Sequence, residues 1–355
     1  MMSEDKVTLE GAVCPIPKQH GETIVLGHGS GGKLSAALIQ NIFQPPLANP
    51  ALLEGNDAGV VQISPELSLA VSTDGHVVSP LFFPGGDIGK LAVCGTVNDV
   101  AMMGAEPKYL SASFILEEGF EIHLLEKIVQ SMKSAAEEAR VEVICGDTKV
   151  VPHGDADGIY ISTTGVGLIK GKSKIGGSQA QPGDQVIISG TMGDHGIAVL
   201  EARGDLGFKT GLTSDVAPLN GLVQEMLQVS SEVHVLRDPT RGGVATALNE
   251  IACQSKVSIL LDEKALPVKP EVAGASELLG FDPLYIANEG KLLAIAPPED
   301  IPALLEVMHN HPYGESAVVI GEVLETSPGK LLLKTGLGST RIVDTLSGEM
   351  LPRIC

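Results

Sequence analysis

Basic residues are scarce in this sequence. It holds 24 Lys and Arg against 44 Asp and Glu, a formal net charge of -20 at pH 7. A surface so acidic repels phosphate backbones and anionic lipid, so neither nucleic acid nor a membrane is expected as a partner. Small anionic ligands stay open, because a local metal ion or a helix N-terminus can overrule the global charge. Paired cysteines are lacking as well. The five Cys (14, 94, 145, 253 and 355) are odd in number, scattered, and form no CxxC pair. That pattern argues against a disulfide framework and against a thiolate metal centre. No apolar run is long enough to span a bilayer. The opening MMSEDKVTLEGAVCPIP lacks the apolar stretch of a secretory leader. A soluble, cytoplasmic chain is therefore expected. Low-complexity tracts are absent, so no long disordered region is expected either.

What is present is a chain of 355 residues, 43% hydrophobic, with 42 Gly and 22 Pro. That length suits two domains, each with its own core. Residues 1–20 read as a loose arm. Residues 21–170 read as one domain, 171–344 as a second, and 345–355 as an exposed tail. The boundary falls where GKSKIGGSQAQPG (171–183) breaks the periodicity. In the first domain a strand is expected over 68–73, ending at Asp74. A helix is expected over 87–104, stopped by Gly104. A strand over 109–116 and a long amphipathic helix over 121–140 follow. A strand over 141–145 is expected to end in a turn at Gly146-Asp147-Thr148. The second domain repeats the grammar, with strands over 185–189, 233–236 and 291–296. Strands joined by short turns favour an α+β fold with mixed sheets over a doubly wound parallel sheet.

Acidic residues recur where such strands end. Asp74, Asp147 and Asp238 follow apolar strands, and Asp57 precedes Val60-Val61. Strand ends mount polar groups on rigid supports, although Asp also favours turns and caps. Asp99 is different. Ile88, Leu91, Ala92, Gly95 and Met102 recur at helical spacing, and at roughly 100° per residue Asp99 falls inside that apolar stripe. A buried carboxylate needs a cation. Few Lys or Arg lie nearby in sequence, so the choice is between a distant basic residue and Mg²⁺, which takes hard oxygen ligands and bridges to phosphate.

Glycine loops accompany these acids. Gly27 to Lys33 nearly matches a P-loop, but Leu34 stands where Ser or Thr would hold Mg²⁺, which excludes a Walker-type ATPase. The segment reads either as a flap whose amides reach phosphate or as a plain loop. Gly146-Asp147-Thr148-Lys149 combines a carboxylate, a hydroxyl and an ammonium, as a metal-bound polyphosphate would need. Gly193-Asp194-His195-Gly196 and Arg241-Gly242-Gly243 open helices and offer further amides. Cys355 is the last residue of PRIC. A prenylation signal would need Cys four from the end. A thiol on a short arm can instead visit two sites.

Taken together, HGSGGK (28–33), STDGHVVSPLFFPGGDIGKLAVCGTVNDVAMMGA (72–105), GDTKVV (146–151), GDHG (193–196), RDPTRGGV (237–244), ANEGKL (287–292) and PRIC (352–355) resemble the HypE family of hydrogenase maturation factors. That family lies in the superfamily of aminoimidazole ribonucleotide synthetase, formylglycinamidine synthetase, selenophosphate synthetase and thiamine-phosphate kinase. The resemblance covers nearly the whole chain after residue 20 and leaves the Cys14 arm unexplained.

The resemblance implies an α+β, two-domain aminoimidazole-ribonucleotide-synthetase-like fold, with two N-terminal domains pairing strands into a barrel shared by a homodimer. It implies an ATP-dependent carbamoyl dehydratase. Cys355 would receive a carbamoyl group from the carbamoyltransferase HypF. ATP would convert the thiocarbamate to a thiocyanate, and the cyano group would pass to iron on a HypC–HypD scaffold. Asp57, Asp74, Asp99 and Asp238 would hold Mg²⁺. Gly146, Asp147, Thr148, Lys33 and Asn98 would contact the nucleotide. Lys149 would stabilise phosphoryl transfer and Glu289 would take a proton. Another reaction of the superfamily, or a carrier without catalysis, are the competing expectations; a free small substrate would have no use for PRIC.

Overall fold

The helix expected over 87–104 shows how local sequence sets this architecture. Asp87 caps it, its Oδ1 accepting from the Gly89 and Lys90 amides at 2.7 and 3.2 Å. The helix runs Ile88–Met102 and stops before Gly104, whose φ is +70°. Every residue in it except Lys90 and Asp99 is buried. This corrects the expected stripe: the helix is apolar all round, as a helix enclosed on every side must be, and Asp99 lies at its one acidic opening. The computed structural model describes residues 23–171 and 175–346. The 1–20 arm, Cys14 and the tail from 347 onward, with Cys355, lie outside the described residues.

In chain order the first domain contains short helices α1 (Lys33–Leu38), α2 (Gln44–Leu47) and α3 (Pro50–Leu53), then strands β1 (Gly59–Ser64) and β2 (Leu67–His76). A small ribbon β3 (Phe82–Phe83) and β4 (Gly86–Asp87) leads into α4 (Ile88–Met102). β5 (Glu106–Glu117), α5 (Ile122–Ala139), β6 (Glu142–Val151) and β7 (Ile159–Lys170) complete it. The five long strands form one sheet in the order β1-β2-β7-β5-β6, with only β5 and β6 parallel.

Two strands outrun their expected ends. β2 continues past Asp74 to His76, because its backbone stays paired with β7 to the Ile161 register. β6 does not turn at 146–148. It runs on to Val151, because Gly146 to Lys149 pair in register with Ala112 to Ile115 of β5. Among the described residues no strand lies beside its other edge.

The second domain holds β8 (Gln185–Ile188), α6 (Asp194–Arg203), α7 (Asn220–Val229), β9 (Val235–Arg237), α8 (Gly243–Ser255), β10 (Ser258–Asp262), α9 (Pro270–Leu279), β11 (Leu293–Ala296), α10 (Ile301–His309), β12 (Val318–Leu324), β13 (Lys330–Lys334) and β14 (Thr340–Val343). Its seven strands pair in the order β14-β13-β10-β12-β8-β11-β9. Only β10 and β13 are parallel, so both sheets are mixed and the fold is α+β. The domains meet through α4, which touches β2, β5, β7 and α5 of its own domain and α7 and β9 of the other. Ala101 and Met102 share one apolar cluster with Leu219, Leu222 and Leu236. Full burial of side chains of this size stabilises by about 1.5–3 kcal/mol each, so this seam is a strong one. No helix of the described residues is long and apolar enough to cross a membrane.

Candidate functional site

Five acidic residues from five separate places converge on that seam. Asp57 precedes β1, Asp74 lies on β2, Asp99 on α4, Asp238 directly after β9, and Glu289 in the Asn288-Glu289-Gly290 turn before β11. Their proximity shows in their mutual electrostatics. Burial, then Asp238 and Asp57, push the Asp99 pKa well above the usual carboxylate range. Burial and Asp57 raise Asp238 to about 8. Burial, then Asp238, Asp74 and Asp215, hold Glu289 well above its ordinary value. Low dielectric and like charge act in the same direction at each.

One buried cation partly answers them. Arg237 Nη1 lies 3.0 Å from Asp57 Oδ1 and 3.2 Å from Glu250 Oε2, with the Arg237 and Asp57 side chains 9% and 12% exposed. Burial lifts Asp57 to about 6 although Arg237 opposes the rise. Burial alone would lower the Arg237 pKa, but Asp57, Glu250 and Asp238 carry it upward. Ser72 Oγ sits 2.6 Å from Asp99 Oδ2 and 3.1 Å from the Asp57 carbonyl, tying β2 to α4. Asp238 Oδ2 is buried without a hydrogen-bond partner among the described residues. The cluster thus has more carboxylate than cation. Its orphaned oxygen and its hard-oxygen donor set fit a divalent ion such as Mg²⁺. Among the described residues no three acidic, histidine or cysteine side chains are yet gathered closely enough to hold one ion by themselves.

The other expected residues lie elsewhere. Lys149 Nζ is 2.6 Å from Asp147 Oδ2, and the Thr148 amide donates to Asp147 Oδ1 at 2.9 Å. Both side chains of that pair are more than half exposed. The Lys149 and Thr148 contacts hold the Asp147 carboxyl below its usual range. Asp74 pairs with Thr163, Thr163 with Ala112, and Ala112 with Gly146. Three strand spacings, about 14 Å, therefore separate Asp74 from this segment within one chain. Within one chain the described residues keep the 146–149 group apart from the carboxylates.

Lys33 makes a 2.6 Å ion pair with Asp344, and its amide donates to the Leu346 carbonyl at 2.8 Å. The glycine loop also rests on the second domain, Arg241 Nη1 donating to the Gly29 carbonyl at 3.2 Å. Asn98 is fully buried. Its Nδ2 faces the carbonyls of Ala217 at 3.0 Å and Glu289 at 3.3 Å, and its Oδ1 accepts from the Leu219 amide at 2.7 Å. As placed, it braces the domain seam. His195, at the start of α6, is buried against Ser214, with Nδ1 to Oγ at 2.8 Å; burial lowers it to about 4.

Sequence reasoning missed Arg237 as the counter-ion of the acids. Its place directly before Asp238 was the available signal. It also missed Asp215 and Lys291, a buried pair 3.1 Å apart beneath Glu289; nothing local marks Asp215.

The chain can now be set beside known proteins. The model of the AIR synthase related protein N-terminal domain matches residues 55–169, and that of the corresponding C-terminal domain matches residues 181–334. The protein named carbamoyl dehydratase HypE from Cupriavidus necator is 54% identical over 332 residues, 94% of this chain and 95% of that protein. The crystal structure of a HypE–HypF complex matches with a TM-score of 0.83 at 47% identity, covering 87% of this chain and all of that one (100%). A crystal structure of HypE in complex with ATP matches at 0.77 and 47% identity, covering 94% of this chain and 100% of that one.

Proposed function

This chain belongs to the carbamoyl dehydratase HypE family of AIR synthase related proteins, and from that membership we propose that it converts an S-carbamoyl group on Cys355 to an S-cyano group at the expense of ATP. The observation that carries the reading is the seam of carboxylates: Asp99, Asp238 and Glu289 are all held above their ordinary pKa values around a cation-poor centre.

An amide oxygen is a poor leaving group. In the proposed reaction it attacks the γ-phosphorus of ATP, ADP leaves, and one of the two N–H protons passes to solvent, giving an iminyl phosphate. Loss of the remaining N–H proton then expels phosphate with the carbon–oxygen bond, leaving S–C≡N. The oxygen departs in phosphate, so no free water is produced. Asp57, Asp74, Asp99 and Asp238 would hold Mg²⁺, which supplies charge neutralisation for the polyphosphate. Glu289 takes the proton; a carboxylate kept basic by its surroundings suits that task. Asp57 stays fixed by Arg237, which keeps the group beside β1 in place.

The 146–149 segment enters from a second copy of the chain. Among the described residues strand β6 leaves one edge unpaired, and Val143, Ile144 and Val150 on it are 46%, 61% and 67% exposed. A long apolar edge of that kind demands a cover. Pairing of first domains across it, into a shared barrel, would carry Asp147, Thr148 and Lys149 to the neighbouring copy's carboxylates. There Gly146 and Thr148 would meet phosphate and Lys149 the charge developing on the transferred group. Lys33 and Asn98 shape the nucleotide side of the pocket, Asn98 through the seam it braces. A carbamoyltransferase of the HypF kind loads the thiol, and a HypC–HypD scaffold accepts the cyano group for the iron of a hydrogenase, all in the cytoplasm.

Intact-mass spectrometry tests the reading. After incubation with the carbamoylating partner, addition of ATP removes the mass of one water from the Cys355 adduct. An adduct that keeps its mass while ATP is present contradicts it.

A further inference from the structure

We infer that Asp215 is a positioning residue for Glu289: its carboxylate, tied to Lys291, grips the 289 peptide and fixes where the Glu289 side chain can reach. This deepens the reading above and rests on the proton-accepting role assigned there to Glu289.

The geometry is specific. The Glu289 amide donates to Asp215 Oδ1 at 3.1 Å. Lys291 Nζ stands 3.1 Å from Asp215 Oδ2, an ion pair rather than a directed hydrogen bond, with the two side chains only 13% and 4% exposed. Lys291 Nζ also donates to the Gly290 carbonyl at 3.2 Å. The opposite side of the same turn is held by Asn98, whose Nδ2 faces the Glu289 carbonyl. Between these grips the two backbones touch. A Cβ on Gly290 would lie 1.8 Å from the Asp215 carbonyl oxygen, so only glycine permits the contact.

The 214–219 segment that supplies Asp215 is itself bolted down on both domains. The Ser214 amide donates to the Pro84 carbonyl at 2.7 Å. Ser214 Oγ meets His195 Nδ1 and accepts from the Val216 amide at 3.1 Å. The Leu219 amide ends on Asn98 Oδ1. Ser214 therefore anchors to the β3–β4 connection and to α6, and Leu219 to α4. Asp215 is the point at which this bridge touches the Glu289 turn. A base must sit within hydrogen-bond reach of its proton, and a displacement of about 1 Å costs on the order of 100-fold in rate. A rigid peptide at 289 supplies that precision. The Asp215 charge also helps hold the Glu289 pKa up.

The test separates the acceptor atom from the charge pair. Removing one member of a buried pair strands the other, so two double variants are compared, each carrying Lys291→Met. With Asp215→Asn the oxygen that accepts the Glu289 amide remains. With Asp215→Ala it is lost. Expected is a kcat for ATP-dependent loss of water from the Cys355 adduct within about fivefold of wild type for the first and at least about 30-fold lower for the second. KM for ATP should stay within about twofold in both. Equal rates in the two double variants overturn the inference. A second readout needs no variant: amide hydrogen exchange at Glu289 in the native protein should be strongly protected, and free exchange there overturns the inference even if the Ala variant does not fold. Glu289→Gln isolates the underlying reading. If it turns over normally, the base assignment falls; if it is inactive while the two double variants match, only the role of Asp215 falls.

Discussion

Asp238 and Asp147 follow the same kind of sequence, an apolar strand and then a carboxylate, yet end in opposite surroundings. Asp238 is 7% exposed, one of its oxygens lacks a hydrogen-bond partner among the described residues, and burial and neighbouring acids raise it to about 8. Asp147 stands in the open, bound to Lys149 and the Thr148 amide, and its pKa falls. The first group is short of positive charge and the second is already satisfied. A site proposed to gather a metal-bound polyphosphate benefits from the first condition. A segment proposed to enter the pocket of a second copy benefits from the second. Charge strain is therefore concentrated on one side of the site, and the other side can be exposed without cost to folding.

The largest expected effect breaks the strained side. Asp238→Asn should lower kcat/KM for ATP-dependent dehydration by about 10³-fold. The same change relieves like-charge crowding, so it should raise nucleotide-free stability by about 1 kcal/mol. Turnover assays and thermal melting check both, and a loss of stability would erase the contrast with Asp147. Next, Arg237→Met leaves Asp57 buried without its cation and should destabilise by about 3–5 kcal/mol. Denaturant unfolding measures it.

His195 gives a pH-dependent effect on the same buried side. Burial holds its folded pKa at about 4, below the ordinary histidine value of 6.5. Because the unfolded chain binds the proton more readily, the stability contribution is present above pH 6.5 and is lost as pH falls towards 4. At 1.36 kcal/mol per unit the loss approaches about 3 kcal/mol. Unfolding curves across that window should show it, and His195→Gln should flatten it. The smallest effect belongs to the exposed side. Lys149→Ala should lower kcat by about 100-fold and leave the melting temperature where it is, since exposed pairs contribute little to stability. A clear drop in melting temperature would mean that Lys149 holds the fold.

How far this contrast could be read in the sequence depended on where each cause lay. Helix α4 was legible because its stop signals are local, with Asp87 at one end and Gly104 at the other. The mixed sheets followed from short turns between strands. Strand β6 was misjudged because Gly146-Asp147-Thr148 is polar, and polarity reads as a turn; pairing with β5, more than thirty residues earlier, overrides it. Asp99 was expected inside a stripe and opens instead onto the acids, because a helix buried all round has no single apolar face. Arg237 meets Asp57 from the far side of a domain boundary, and no periodicity reports such a contact. Asp215 lies in a segment without helix or strand, where its neighbours say nothing about Glu289.

The most direct test of the account mixes two inactive proteins. Asp238→Asn and Lys149→Ala copies are dissociated, combined and reassembled. In a hybrid dimer one site carries both lesions and the other carries neither. Random pairing should then restore about a quarter of wild-type activity. Mixtures that form hybrid dimers yet stay inactive would show that the carboxylate seam and the 146–149 segment do not complete one another across two copies.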